Sequence, residues 1–148
     1  MKTYTSTTPE IKLKRVKTDF LKAKITRSDD AQKFARQFYF DDLTIYESFF
    51  IILLNNANNT IGYAKISQGG VGGTIADPQL IAKYAIESLC KGVILVHNHP
   101  SGSKNPSTAD KKITKKIQAT LKIFDCRVLD HIIITEESYL SFGDEGIL

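Results

Sequence analysis

The chain contains no tryptophan, one methionine and only two cysteines, Cys90 and Cys126. Each cysteine stands inside an apolar stretch and the two form no CxxC pair, so a disulfide has little support, and reduced, buried thiols in a cytosolic protein are expected. Long apolar runs are lacking too: residues 49–54 and 132–134 fall far below the roughly 20 residues that cross a bilayer, which excludes a transmembrane helix. The N-terminus, Met1-Lys2-Thr3-Tyr4-Thr5, is polar and leads into lysines rather than an apolar block, so no secretory signal is expected. Internal repeats and low-complexity segments are absent as well.

What is present is an ordinary globular composition. With 148 residues, 42% hydrophobic and 24% charged, the chain suits one domain with a real core and is too short for two. The formal net charge of +4 is modest but unevenly spread. Basic residues gather at Lys12, Lys14, Arg15, Lys17, Lys22, Lys24 and Arg27, and again between Lys111 and Lys122. A solvated lysine face explains this better than a phosphate-binding surface does, so nucleic acid is compatible as a partner but not indicated. No aromatic residues interleave the second basic cluster, which argues against base stacking there.

Hydrophobic periodicity predicts a mixed α/β domain over residues 29–148, preceded by a basic extension, residues 1–28. In that extension Ile11-Lys12-Leu13-Lys14-Arg15-Val16-Lys17 alternates like a half-exposed edge strand. Asp29-Asp30 should cap a helix running to about Tyr39, with Ala31, Phe34, Ala35 and Phe38 as its apolar stripe. A strand over 48–54, an asparagine-rich turn and a second strand near 61–67 read as a hairpin. The GGVGG segment that follows fits neither phosphate-loop spacing and is taken as a plain connection.

Asp77-Pro78 then supplies an N-cap and a first-turn proline for a helix to about Cys90, striped by Ile81, Ala82, Ala85, Ile86 and Leu89 and closed by Gly92. The continuous apolar run 93–96 suits a central strand covered on both faces. A helix from about Ser107, striped by Ile113, Ile117, Leu121 and Phe124, and strands over 126–135 and 139–142 complete one mixed sheet with flanking helices.

The chemistry concentrates in the segment from His97 to Asp110, which leaves the end of the apolar strand and enters a helix, where α/β sites sit. His97 and His99 are one residue apart, so an extended backbone projects both imidazoles to one side, where they can share a metal. Asp110, in the first turn of the helix, can fold back to complete three ligands and leave a fourth position for water. Zinc in such an open site would acidify water and polarise a carbonyl, as acyl hydrolysis requires. Glu47, at the entrance to the strand over 48–54, is the carboxylate best placed to move the proton.

Ser107 and Asp110 also form a capping box, which explains both without a metal, and His99-Pro100 reads equally as a turn. His131, among apolar neighbours, reads as a structural imidazole. Ser101 and Ser103 lack a partner base, HxE with PCxxC is missing, and the literal His97-Asn98-His99 is not the dispersed motif of HNH nucleases.

His97-x-His99-Pro100 followed by Ser107-x-x-Asp110, with seven residues between His99 and Ser107, resembles the JAMM motif of MPN-domain metallo-isopeptidases. The wider set, HNHPSG with PSTAD, LDHIII at 129–134 and ESF ahead of LLNNANN, resembles the bacterial RadC-like JAB proteins over about residues 42–146. That resemblance implies a cytidine-deaminase-like α/β fold and a peptidase or isopeptidase mechanism with one zinc per chain held by His97, His99 and Asp110. It further implies that Glu47 takes the proton from water and that Ser107 hydrogen-bonds the oxygen of the tetrahedral intermediate. Asn98 stands where Ser or Thr is usual in the eukaryotic pattern. The stretch before the domain is too short, and too poor in glycine, for the helix-hairpin-helix DNA-binding module of full-length RadC.

Three functions therefore compete: a hydrolase acting on a protein or peptide-like substrate, a DNA-repair or mobile-element accessory protein with a structural metal, and a scaffold that has lost activity. Two histidines and a carboxylate also suit iron, so zinc rests on availability and on the resemblance.

Overall fold

The computed structural model describes residues 3–40, 42–69 and 76–148. Most of the GGVGG connection lies outside the described residues. Within them the order is α1 (Ser28–Arg36), β1 (Ser48–Leu54), β2 (Thr60–Gln68), α2 (Pro78–Ser88), β3 (Gly92–Asn98), α3 (Thr108–Lys122), β4 (Arg127–Ile134) and β5 (Tyr139–Ser141). The strands form one five-stranded sheet in the order β2-β1-β3-β4-β5, antiparallel except for the parallel pair β3 and β4. This is the single mixed-sheet α/β architecture that the periodicity predicts, consistent with a JAB/MPN-type fold.

Strand side chains alternate between faces, and here each face has its own core. Phe50, Ile52, Leu54, Ile94, Val96, Ile132 and Ile134 pack with Ala31, Phe34, Ala35 and Phe38 of α1 and the turn after it. Phe49, Ile51, Leu53, Val93 and Leu95 pack with Ile81 and Ala85 of α2 and Ile117 and Leu121 of α3. The central strands β1 and β3 are buried along their whole length, which is why they read as unbroken apolar runs.

Several local expectations need correction. Residues 11–17 form no strand: they are exposed, and only Lys24 makes an isolated bridge, to Asn59. Alternation supplies a pattern, but without a neighbouring ladder the backbone groups gain more from water. The first helix ends at Arg36 rather than near Tyr39, although Phe38 and Tyr39 remain buried in the turn that follows. In α2 the stripe is narrower than expected, since Ile86 is 44% and Leu89 79% exposed. Gly92 does not close that helix. Leu89 does, at a left-handed φ of 54°, and Gly92 instead opens β3, where a Cβ would lie 2.6 Å from Leu129 Cδ1. Phe124, expected in the α3 stripe, lies beyond the end of the helix and is 46% exposed, and the buried stripe is Thr114, Ile117 and Leu121.

Candidate metal centre

β3 carries the site. His97, Asn98 and His99 alternate across the sheet: His97 lies on the face of α3, beside Phe49 of β1 in the register, and Asn98 turns to the other face. His97 and Asn98 still belong to the strand rather than to the polar loop in which a purely sequence-based boundary places them. His99 stays attached through its amide, which donates to the Ile134 carbonyl at 3.0 Å. The chain then turns through Gly102 and enters α3, capped by Ser107.

The capping box forms as expected. Ser107 Oγ accepts from the Asp110 amide at 3.0 Å, and the Ser107 amide donates to Asp110 Oδ2 at 2.8 Å. That second bond does more than start a helix, because it aims the Asp110 carboxylate back at the histidines. Its Oδ1 lies 3.4 Å from His97 Nε2 and its Oδ2 3.5 Å from His99 Nε2, while the two Nε2 atoms are 3.0 Å apart. Glu47 approaches from the start of β1, with Oε1 3.8 Å from His99 Nε2. Glu47, His97 and His99 each offer a ligand atom within 4.8 Å of the others. The structure thus brings Glu47, His97, His99 and Asp110 together, with Ser107 bonded to Asp110 at the same corner.

The electrostatics follow from this crowding. His99 Nδ1 faces the Ser103 carbonyl at 2.7 Å, which can only accept, so Nδ1 holds the proton and Nε2 of the neutral ring is a bare lone pair. Two ring nitrogens 3.0 Å apart, with carboxylates on both sides, form a cluster of electron pairs lacking a positive charge. The Asp110 carboxylate, opposed by desolvation and helped by Ser103 and Glu47, raises the His99 pKa. Burial alone would raise the Asp110 carboxyl, but in acid, where both imidazoles carry protons on Nε2, His97 and His99 together with the Ser107 amide outweigh it and hold Asp110 far below the usual carboxylate range. The same donor set, two imidazole nitrogens and carboxylate oxygens with no thiolate, fits a divalent first-row ion such as zinc.

Three further residues hold the site, and sequence reasoning gave them no role. Asn98, fully buried, accepts from the Ser48 amide at 2.8 Å and donates to the Leu43 and Tyr46 carbonyls at 2.7 and 2.8 Å. It therefore ties to β3 the turn that delivers Glu47. His131 of β4, also fully buried, has Nε2 2.7 Å from His97 Nδ1 and Nδ1 2.6 Å from Thr114 Oγ1 of α3. It is a buried imidazole as expected, but it touches the site rather than standing apart from it. Burial drives its pKa well below the ordinary value, with His97 adding to the effect. In the parallel register of β3 and β4, Leu95 pairs with His131 and His97 with Ile133, so His131 shares the face of His97.

A three-layer α/β domain with paired imidazoles and two carboxylates gathered at the end of a central strand fits a JAB-type domain, and the group could bind a metal ion. The family model for the RadC-like JAB domain matches residues 25–147, and the chain belongs to that family. Similar proteins include a UPF0758 protein of Flavobacterium johnsoniae, 53% identical over 102 residues, covering 69% of this chain and 44% of that protein. Another from Porphyromonas gingivalis is 40% identical over 103 residues, covering 69% and 45%. A third, from Vibrio cholerae, is 40% identical over 102 residues, covering 69% and 64%. The chain spans about half the length of the first two of these relatives.

Proposed function

We propose that this domain is a zinc-dependent hydrolase of the JAMM type that cleaves a peptide, isopeptide or related acyl bond with an activated water. The observation that carries the reading is the convergence of His97 Nε2 and His99 Nε2, 3.0 Å apart, on a carboxylate held 3.4 and 3.5 Å away. His97, His99 and Asp110 would hold one zinc per chain. Zinc, when bound, supplies a Lewis acid that polarises a carbonyl and lowers the pKa of water to roughly 7.

Either carboxylate lies close enough to be the third ligand. Asp110 is the better choice because its oxygens lie 3.4 and 3.5 Å from the two imidazoles and are fixed by the Ser107 amide, whereas Glu47 stands farther off, 3.8 Å from His99. Glu47 is then the base that takes a proton from the attacking water and delivers it to the leaving amine. Ser107 accepts the Asp110 amide and keeps its own hydroxyl proton to donate to the oxygen of the tetrahedral intermediate. Cys90 and Cys126, free thiols 3.6 Å apart, accord with a reducing, cytosolic setting, and no helix among the described residues is long and apolar enough to cross a membrane.

Metal content of protein purified without a chelating tag tests the reading. About one zinc per chain is expected, lost in both His99→Ala and Asp110→Ala, together with turnover of a peptide or isopeptide substrate that Glu47→Gln abolishes. Wild-type protein that takes up no metal from a zinc solution would overturn it. The exposed outer face of α3, with Lys111, Lys112, Lys115, Lys116 and Lys122, favours a second reading, a nucleic-acid-binding accessory protein with a structural metal. Under that reading, DNA binding falls steeply with salt and survives Glu47→Gln.

A further inference from the structure

The interior contains one continuous polar thread. It runs from Asp110 at the start of α3, through Thr114 one turn later, to His131 on β4 and His97 on β3. Thr114, His131 and His97 are 2%, 0% and 2% exposed, so no bulk water competes for these bonds. Phe142 stacks on His131 at 4.5 Å, and Phe49 lies 5.8 Å from the parallel ring of His97.

The direction of every bond in the thread follows from its far end. The Asp110 carbonyl has no proton to give, so the contact of 2.7 Å requires Thr114 Oγ1 to donate. A hydroxyl has one proton, and Thr114 has now used it. The contact of 2.6 Å between Thr114 Oγ1 and His131 Nδ1 therefore has His131 as donor. A neutral ring protonated at Nδ1 is bare at Nε2, so His131 Nε2 accepts, and His97 Nδ1 must donate across the 2.7 Å between them. His97 Nε2 is then left bare, on the side where it meets His99 and Asp110.

We infer that His131 and Thr114 are positioning residues that fix His97 as the Nδ1–H tautomer and present its Nε2 lone pair to the metal. Asp110 closes the circuit: its carboxylate faces the histidines from one side while its carbonyl sets the thread that orients His97 from the other. Helix α3 thus delivers a ligand and, one turn later, the group that prepares a second ligand on a different strand. As regards the metal, the inference rests on the zinc reading above. The tautomer it assigns exists in metal-free protein and can be tested there.

The variants are Thr114→Val, which keeps the shape and removes the hydroxyl, and Thr114→Ser, which keeps the hydroxyl. Nitrogen-15 NMR of histidine-labelled, zinc-free protein at about pH 8, where free imidazole is neutral, reads the tautomer directly. His97 is expected to carry its proton on Nδ1 in wild type and Thr114→Ser, and to become a tautomer mixture in Thr114→Val. Zinc affinity should fall about 10- to 100-fold in Thr114→Val and stay near wild type in Thr114→Ser, the range usual for loss of an outer-shell partner. A wild-type His97 protonated on Nε2, or a Thr114→Val variant with unchanged tautomer and zinc affinity, would overturn the inference. Wild-type protein with the Nδ1–H tautomer but no affinity for zinc would instead remove the metal reading and leave the tautomer assignment supported.

Discussion

Asn98 separates the two candidate ligands, and its side chain makes three hydrogen bonds, two to the turn before β1 and one to the first residue of β1. Asn98→Ala strands a buried amide and two carbonyls, each costing about 1–3 kcal/mol when water cannot reach them. The expected result is a loss of about 3 kcal/mol or more in urea unfolding. Asn98→Asp should fare no better, because a carboxylate cannot donate to the Leu43 and Tyr46 carbonyls. His99 gives a second prediction at this scale. Its pKa is raised in the folded, metal-free protein, chiefly by Asp110, so its protonation contributes stability that is present below the ordinary histidine value and is lost as pH rises through the raised one. Zinc competes with that proton, so its affinity climbs over the same window. Buried His131, whose folded pKa is lowered, acts in the opposite sense below the ordinary histidine value, so the test runs from about pH 7 to 9, where the melting temperature should fall with pH without zinc and rise with saturating zinc. The four converging residues were legible in sequence because a short motif spaces three of them. His131 and Thr114 were not, because a histidine among isoleucines and a threonine among lysines announce nothing until two strands and a helix are placed side by side.

Among the elements, α3 has two duties at its first turn. Ser107→Ala removes the cap acceptor, which costs about 1 kcal/mol, and frees the segment that aims Asp110. Zinc affinity should weaken in that variant by more than the stability loss suggests. Helix α2 offers the opposite case, since its C-cap Leu89 sits at φ 54° with 79% of its surface exposed. The left-handed conformation costs a non-glycine residue about 1–2 kcal/mol and little packing is lost there, so Leu89→Gly should raise the melting temperature. A melting temperature lowered by that change would show that Leu89 packs in solution. The end of α2 was misread for a physical reason: Gly92 marked the expected stop, but close approach to Leu129 on β4, which depends on long-range packing, accounts for that glycine. The five strands of the sheet were read to within a residue or two, β1 and β3 because burial on both faces leaves an unbroken apolar signature, whereas the alternating stretch over 11–17 found no neighbouring strand.

For the molecule as a whole, stability comes from two cores on opposite faces of one sheet, and residues 3–19 contribute to neither. Phe20 is the first residue to pack, against Phe38 and Tyr63. Removing residues 1–18 should leave the melting temperature and zinc stoichiometry unchanged, and a drop in either would assign the basic arm a place in the fold. If the domain holds zinc, a hundredfold excess over the dissociation constant adds about 2.7 kcal/mol to its stability, which a chelator withdraws.

The strand order has a further consequence in time. β1 sits between β2 and β3, so as the chain emerges from the ribosome the hairpin of β1 and β2 can close at once, while the other edge of β1 waits for β3. β3 in turn cannot gain its parallel neighbour until α3 and β4 have been made, because a parallel partner requires the whole crossover. Glu47 is therefore translated long before the residues it must face, and His131, which sets the proton on His97, comes last. The cluster is assembled only when the sheet is finished, so if the domain takes up a metal, loading is a step for the completed domain rather than a nucleus for its folding.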